Sequence, residues 1–187
     1  MGGDEEPGLR TDEEIARYTV GEVRPHDAAV TLHEYDPAWP ARFEREAERI
    51  RGALGEAART IEHVGSTSVP GLAAKPIIDI VVAVADSADE AAYAPALEAV
   101  GYRLTIREPD WHEHRMFEDP ATHVHVFTVG DAEVGRLVAF RDRLRRVDED
   151  RERYAAAKRT LAARRWRHVQ HYADAKSGVI EEILARA

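Results

Sequence analysis

Apolar and polar positions follow two periods along this chain. Trp39, Phe43, Ala47, Ile50 and Leu54 recur at helical spacing after Asp36-Pro37, which predicts a helix capped by Asp36 and ended by Gly55. Residues 59–64 and 76–84 are β-branched and apolar and read as two central strands. Residues 87–100 read as a helix ending before Gly101, and 102–107, 112–118 and 122–129 as three further strands. Asp131 opens a helix running to about Arg146, and Asp148 or Asp150 opens a long last helix. Arginines interrupt the apolar stripe of that last helix, which predicts a kink or split near 166–170. Upstream, Thr11-Asp12-Glu13-Glu14 has the form of a capping box for a short helix through Tyr18, and residues 30–34 suit a short strand. Residues 1–10 read as a disordered acidic tail. The pattern describes one α+β domain over 11–187: a mixed β-sheet flanked by helices, with a helical C-terminal segment.

Composition narrows the chemistry. The 187 residues suffice for one domain with a sizeable core, and there is no cysteine. Disulfides and thiolate zinc sites are therefore excluded, and a metal would need His, Asp or Glu ligands. The net charge of −9 argues against duplex nucleic acid as a partner. No apolar run reaches the ~20 residues of a membrane span, and the acidic start does not read as a secretory signal, so a cytoplasmic location away from membranes is expected. The charge is uneven: residues 136–167 hold twelve Lys/Arg against five Asp/Glu. Such a run is either a solvated helix face or part of the frame of an anion site.

One segment concentrates chemistry. Ile61-Glu62-His63-Val64 ends in Gly65-Ser66-Thr67-Ser68, a small-residue loop that can offer backbone N–H groups and hydroxyls to a phosphate. It is not a P-loop, because no Gly-Lys-Ser/Thr follows at the required spacing. Lys75 precedes the next strand, as a phosphate contact or as a solvated loop lysine. Asp79 stands inside that otherwise apolar strand, where a lone acid must be paired, hydrogen-bonded or metal-bound. His123 and His125, two residues apart on a later strand, share one face. With Asp79 they make a divalent metal site for Mg, Mn or Zn, or they are satisfied polar groups at a sheet edge. Arg115, Arg141, Arg145, Lys158 and Lys176 are further cation candidates, and Tyr172 shares a helix face with Lys176. His112 and His114 also share a face and read as surface or supporting residues. No Gly-x-Ser-x-Gly elbow or cysteine nucleophile points to a hydrolase triad.

The stretch from His63 to Ile80, with Gly65-Ser66-Thr67-Ser68-Val69-Pro70-Gly71 and Lys75-Pro76-Ile77-Ile78-Asp79, resembles the signature of the GrpB family. Tyr35-Asp36-Pro37-Ala38-Trp39-Pro40, Phe140-Arg141-Asp142-Arg143 and Tyr172-Ala173-Asp174-Ala175-Lys176 extend the resemblance over roughly residues 10–187. It implies a nucleotidyltransferase-like fold, a phosphorylated small molecule or nucleotide as ligand, and kinship with domains fused to dephospho-CoA kinase. That superfamily places a Gly-Ser turn before Asp-x-Asp or Asp-x-Glu, with a third acid on a later strand, to hold two magnesium ions. Gly65, Ser66 and Asp79 match, but Val81 stands at the second acid and His123 and His125 at the third.

Two functions follow from this departure. One is a nucleotidyl or phosphoryl transferase with an atypical one-metal site. Asp79, His123 and His125 would hold the ion there, with Glu62 as ligand or base, and Lys75 and Arg115 would neutralise charge. The other is a catalytically inactive nucleotide- or phosphometabolite-binding module. A structural role, with Asp79 hydrogen-bonding the 65–68 loop, is a third alternative.

Overall fold

The computed structural model describes residues 8–23 and 25–186. Most of the expected acidic tail lies outside that range. Within it, Leu9 packs against Val30, Trp166 and Tyr172, and the Arg10 backbone N–H donates to Asp174.

Helix α1 (Asp12–Tyr18) opens with the expected capping box between Thr11 and Glu14. A two-residue strand, β1 (Ala28–Ala29), follows, in place of the one expected at 30–34. Helix α2 (Trp39–Leu54) starts with Pro40 in its first turn. Its formal cap is Ala38, yet Asp36 still accepts from the Ala38 N–H at 2.8 Å and so stabilises the turn that leads in.

Five strands form the main sheet: β2 (Thr60–Val64), β3 (Ile78–Val84), β4 (Arg103–Glu108), β5 (His114–Asp119) and β6 (Thr122–Thr128). Their spatial order is β2-β3-β6-β5-β4, parallel only between β3 and β6. The expectation of two central strands holds for β3 alone. β2 is an edge strand, and the half-exposure of Thr60, Ile61 and Glu62 agrees with an unpaired side.

The helix expected over 87–100 shrinks to a 3-10 turn (Glu90–Ala92) and α3 (Ala94–Ala99). Pro95 has no N–H to give a helix begun earlier, so the α-helix starts next to it. Helix α4 (Ala132–Arg146) is capped by Asp131, whose side chain accepts from the Glu133 N–H. The expected long C-terminal helix is split into α5 (Asp148–Ala162), β7 (Arg165–Trp166), α6 (Val169–Asp174) and α7 (Ser177–Leu184). The break has a distant cause: β7 pairs antiparallel with β1, and Trp166 is buried beside Val30 and Tyr172.

Strand alternation assigns the two sheet faces. Ile78, Ile80, Val82 and Val84 of β3, with Val124 and Val126 of β6, pack under α2 and α3 with Trp39, Ile50, Tyr93, Leu97 and Phe117. On the opposite face, Val64, Val81 and Phe127 are covered by Val134, Leu137 and Val138 of α4. The β3–β6 end beyond that cover carries Asp79, His123 and His125. No helix among the described residues is long and apolar enough to cross a membrane.

Candidate functional site

A cleft of about 1100 Å³ opens over the uncovered part of that face. Its polar wall includes Ser66, Thr67, Asp79, His123 and His125, its cationic wall Lys75, Lys158 and Lys176 beside Tyr172, and an apolar strip runs over Ile106 and Met116.

Parallel pairing of β3 with β6 sets Asp79 beside His123 and Val81 beside His125, so the three polar side chains converge from neighbouring strands. Asp79 Oδ1 lies 3.3 Å from His123 Nδ1 and 3.8 Å from His125 Nε2. One ligand atom from each residue falls within 4.8 Å of the others, close enough for the three to reach toward one ion. Burial works against the charge on Asp79, but the two imidazoles beside it hold its carboxyl well below the usual carboxylate range. The site thus presents a fixed anion and two nitrogen donors.

Gly65 makes the close approach of loop and strand possible. Its φ of 67° with ψ of −173° is a conformation open essentially to glycine alone. A Cβ there would stand 2.9 Å from Asp79 Cβ and would overlap the carboxylate. The turn that follows (Ser66–Ser68) is pinned from within and from behind. Ser68 Oγ donates to the Gly65 carbonyl at 2.6 Å, Thr67 Oγ1 meets His63 Nε2 at 3.1 Å, and Arg145 donates twice to the Ser68 carbonyl at 3.0 and 2.8 Å. His63 stacks on Phe43, and burial pushes its imidazole down to about 4, so it is neutral at ordinary pH.

The three lysines come from different elements. Lys158 Nζ donates to the Ala73 carbonyl at 2.6 Å, and Lys176 Nζ lies 4.6 Å from the centre of the Tyr172 ring. Burial lowers all three ammonium groups, with Lys158 pushed down to about 7 by burial and by Lys176. Among the described residues none of the three forms an ion pair with a carboxylate. The Tyr172 hydroxyl is buried, with no hydrogen-bond partner among the described residues. Burial pushes its phenol above the usual range. Asp79 attracts all three ammonium groups from across the cleft but touches none of them, and such desolvated cations beside an unsatisfied hydroxyl favour an anionic ligand.

Other sequence candidates lie elsewhere. Arg115 points to the opposite face, buried against Glu90 at 2.6 Å, because it alternates with Met116 along β5. Arg141 is spent on structure: it donates to Glu62 at 2.7 Å and to the His63 carbonyl at 2.9 Å, tying α4 to β2. Glu62 is engaged in that ion pair and is not part of the Asp79–His123–His125 group. Gly65 and Ser68 shape the turn, while Ser66 and Thr67 line the cleft. Val81, at the expected second acid, is fully buried under α4, so the residues present do not fit a two-magnesium centre.

Of the two readings of His114, surface or supporting, the structure bears out the supporting one. His114 Nε2 lies 3.1 Å from His125 Nδ1, and His114 Nδ1 lies 2.7 Å from Glu108. Burial pushes His114 down to about 4. Burial also opposes the charge on Glu108, but the His114 hydrogen bond and Arg10, 3.1 Å away, keep its carboxyl below the usual range. Glu118 reaches within 3.9 Å of His123. Period-two spacing puts His114, Met116 and Glu118 on one face, but only the β5–β6 register aims that face at the cleft.

Comparison with known proteins agrees with this architecture. The family model described as GrpB protein matches residues 29–186. A UPF0157 protein of Halalkalibacterium halodurans is 60% identical, covering 95% of this chain and 92% of its own length. A dephospho-CoA kinase of Mycolicibacterium paratuberculosis is 30% identical over 86% of this chain, which spans 46% of that enzyme. The crystal structure of conserved protein GrpB from Enterococcus faecalis superposes with a TM-score of 0.72 at 32% identity, covering 83% of this chain and 98% of that one. This chain therefore belongs to the GrpB protein family.

Proposed function

We propose that this protein binds a phosphorylated small molecule of the nucleotide class in the cleft and transfers its nucleotidyl or phosphoryl group with the help of one divalent ion. The observation that carries the reading is a His-His-Asp cluster facing, across one cleft, three lysines that form no ion pair with a carboxylate among the described residues. Lys75, Lys158 and Lys176 offset the charge of the phosphate, and the 66–67 turn adds hydroxyls and N–H groups. The strip at Ile106 and Met116 takes the organic part. A bound ion at Asp79, His123 and His125 would supply Lewis-acid polarisation of a phosphoryl oxygen. The kinship with part of a dephospho-CoA kinase supports including coenzyme A precursors among the ligands tested.

Val81 favours a second reading, a binding module without turnover, because its burial under α4 removes one acid of the two-metal chemistry. A thermal-shift panel of nucleoside triphosphates and coenzyme A precursors, with and without Mg²⁺, Mn²⁺ or Zn²⁺, tests both. A ligand at 100 times its Kd adds ~2.7 kcal/mol. Stabilisation that needs metal and disappears in Asp79→Ala, followed by turnover of that ligand, supports the transferase. Stabilisation without metal or turnover supports the module, and no response to any phosphorylated ligand defeats both.

A further inference from the structure

The polarity of the Glu108–His114–His125 chain decides which nitrogen of His125 is free. Arg10 sits on Glu108, so the outer end of the chain is a carboxylate and only accepts. His114 Nδ1 must then carry the hydrogen of the 2.7 Å contact, leaving a lone pair on Nε2 of the neutral ring. That lone pair accepts the hydrogen of His125 Nδ1 across 3.1 Å, so Nε2 is the His125 nitrogen left for the cleft. His125 Nε2 is the ring atom turned to Asp79 Oδ1, 3.8 Å away, which is longer than a direct hydrogen bond. A carboxylate or its relay behind a ligating imidazole is the usual second layer of a transition-metal centre.

The donor set and its spacing narrow the ion. Two imidazoles and one carboxylate suit borderline dications, whereas magnesium prefers oxygen. Ligands about 2.0–2.2 Å from a tetrahedral ion are roughly 3.3–3.5 Å apart. Adjacent ligands of octahedral magnesium, at about 2.0–2.1 Å, are roughly 2.9 Å apart. The observed 3.3 Å falls in the wider spacing and 3.8 Å lies beyond it, so both exceed the magnesium value. We infer that Asp79, His123 and His125 form a centre for a zinc-class transition-metal dication rather than magnesium, and that His114 and Glu108 are positioning residues that fix His125 as an Nε2 ligand. This deepens the proposed function, because it rests on the reading that the cluster holds an ion.

The test uses full-length protein stripped with a chelator. Co²⁺ binding is followed by visible absorption, with Zn²⁺ and Mg²⁺ as competitors. Expected are a four- or five-coordinate Co²⁺ spectrum, displacement by micromolar Zn²⁺ and indifference to millimolar Mg²⁺. His114→Ala should weaken Zn²⁺ binding by about 10–100-fold. His114→Gln should recover most of that loss and the wild-type Co²⁺ spectrum, since its amide can accept from His125 and donate to Glu108. Where circular dichroism shows His114→Ala unfolded, Glu108→Gln takes its place, with an expected loss of roughly 10-fold. Mg²⁺ binding as tight as Zn²⁺ overturns the metal class and leaves a divalent-ion site standing. Undiminished Zn²⁺ affinity in the folded His114 or Glu108 variant overturns the positioning role. Wild-type protein that binds no divalent ion removes the centre together with the reading beneath it.

Discussion

Along β3, Ile78, Ile80, Val82 and Val84 enter an unbroken apolar layer under α2 and α3, while Asp79, Val81 and Ala83 look the other way. On that second face α4 covers Val81 and Phe127, and the remaining end holds Asp79, His123 and His125 beneath the cleft. The faces share strands, backbone hydrogen bonds and register, and differ only in every second side chain. The first can be close-packed because the side chains β3 and β6 send to it are aliphatic, and its one buried cation from β5, Arg115, is paired with Glu90. The second combines a carboxylate, imidazoles and ammonium groups whose mutual solvation is incomplete, an arrangement that favours ligand affinity over stability.

The contrast predicts opposite responses to substitution. The largest effect belongs to Asp79→Ala: Zn²⁺ binding measured calorimetrically should fall by more than about 100-fold, since one of three ligands is removed. Its neighbour Ile80 faces the core, so Ile80→Ala should cost about 2–5 kcal/mol in urea unfolding. Metal affinity per folded molecule should stay unchanged, and a metal defect in Ile80→Ala would blur the division of the faces. Gly65→Ala couples the two faces, because the added Cβ strains the left-handed backbone and displaces Asp79. A loss of about 2–4 kcal/mol together with weakened metal binding is expected.

Smaller effects should come from the lysines and from pH. Lys176→Met should weaken a phosphorylated ligand by roughly 10-fold while leaving thermal stability unchanged or higher, because it removes a half-desolvated cation. Arg115→Met, on the core face, should lower stability and leave ligand affinity alone. Burial holds His63 and His114 down at about 4 in the folded chain, below the ~6.5 of an unfolded histidine. The unfolded chain therefore binds more protons between those values. Stability contributed by the neutral rings is present above about pH 6.5 and falls as pH drops toward 4. Lys158, at about 7 against ~10.4 unfolded, makes stability rise with pH between those values. Urea titrations across pH 4–10 on wild type and Lys158→Met check both slopes, and the upper one should flatten in the variant.

Much of this organisation is local and can be read along the chain. A β-branched apolar run marks β3, helical spacing marks α2, and Asp131 and the 11–14 box mark two helix starts. Asp79 announces itself as an acid in an apolar strand, and its pairing with His123 and His125 follows from shared faces once the strands adjoin. What cannot be read locally depends on partners distant in sequence. The interrupted stripe near 166–170 marks that the last helix breaks, but what fills the break, β7 pairing with Ala28–Ala29 more than a hundred residues away, has no local signal. Arg115 and His114 are adjacent in sequence, yet the β5–β6 register sends the arginine to Glu90 and the histidine to His125. Arg141 is a cation candidate by type alone, and only the docking of α4 sets it against Glu62. Residue type and period set which side chains can share a face, because they depend only on the backbone repeat. Which charge meets which partner is set by strand order and helix docking, because Coulomb and hydrogen-bond energies depend on distances that folding alone creates.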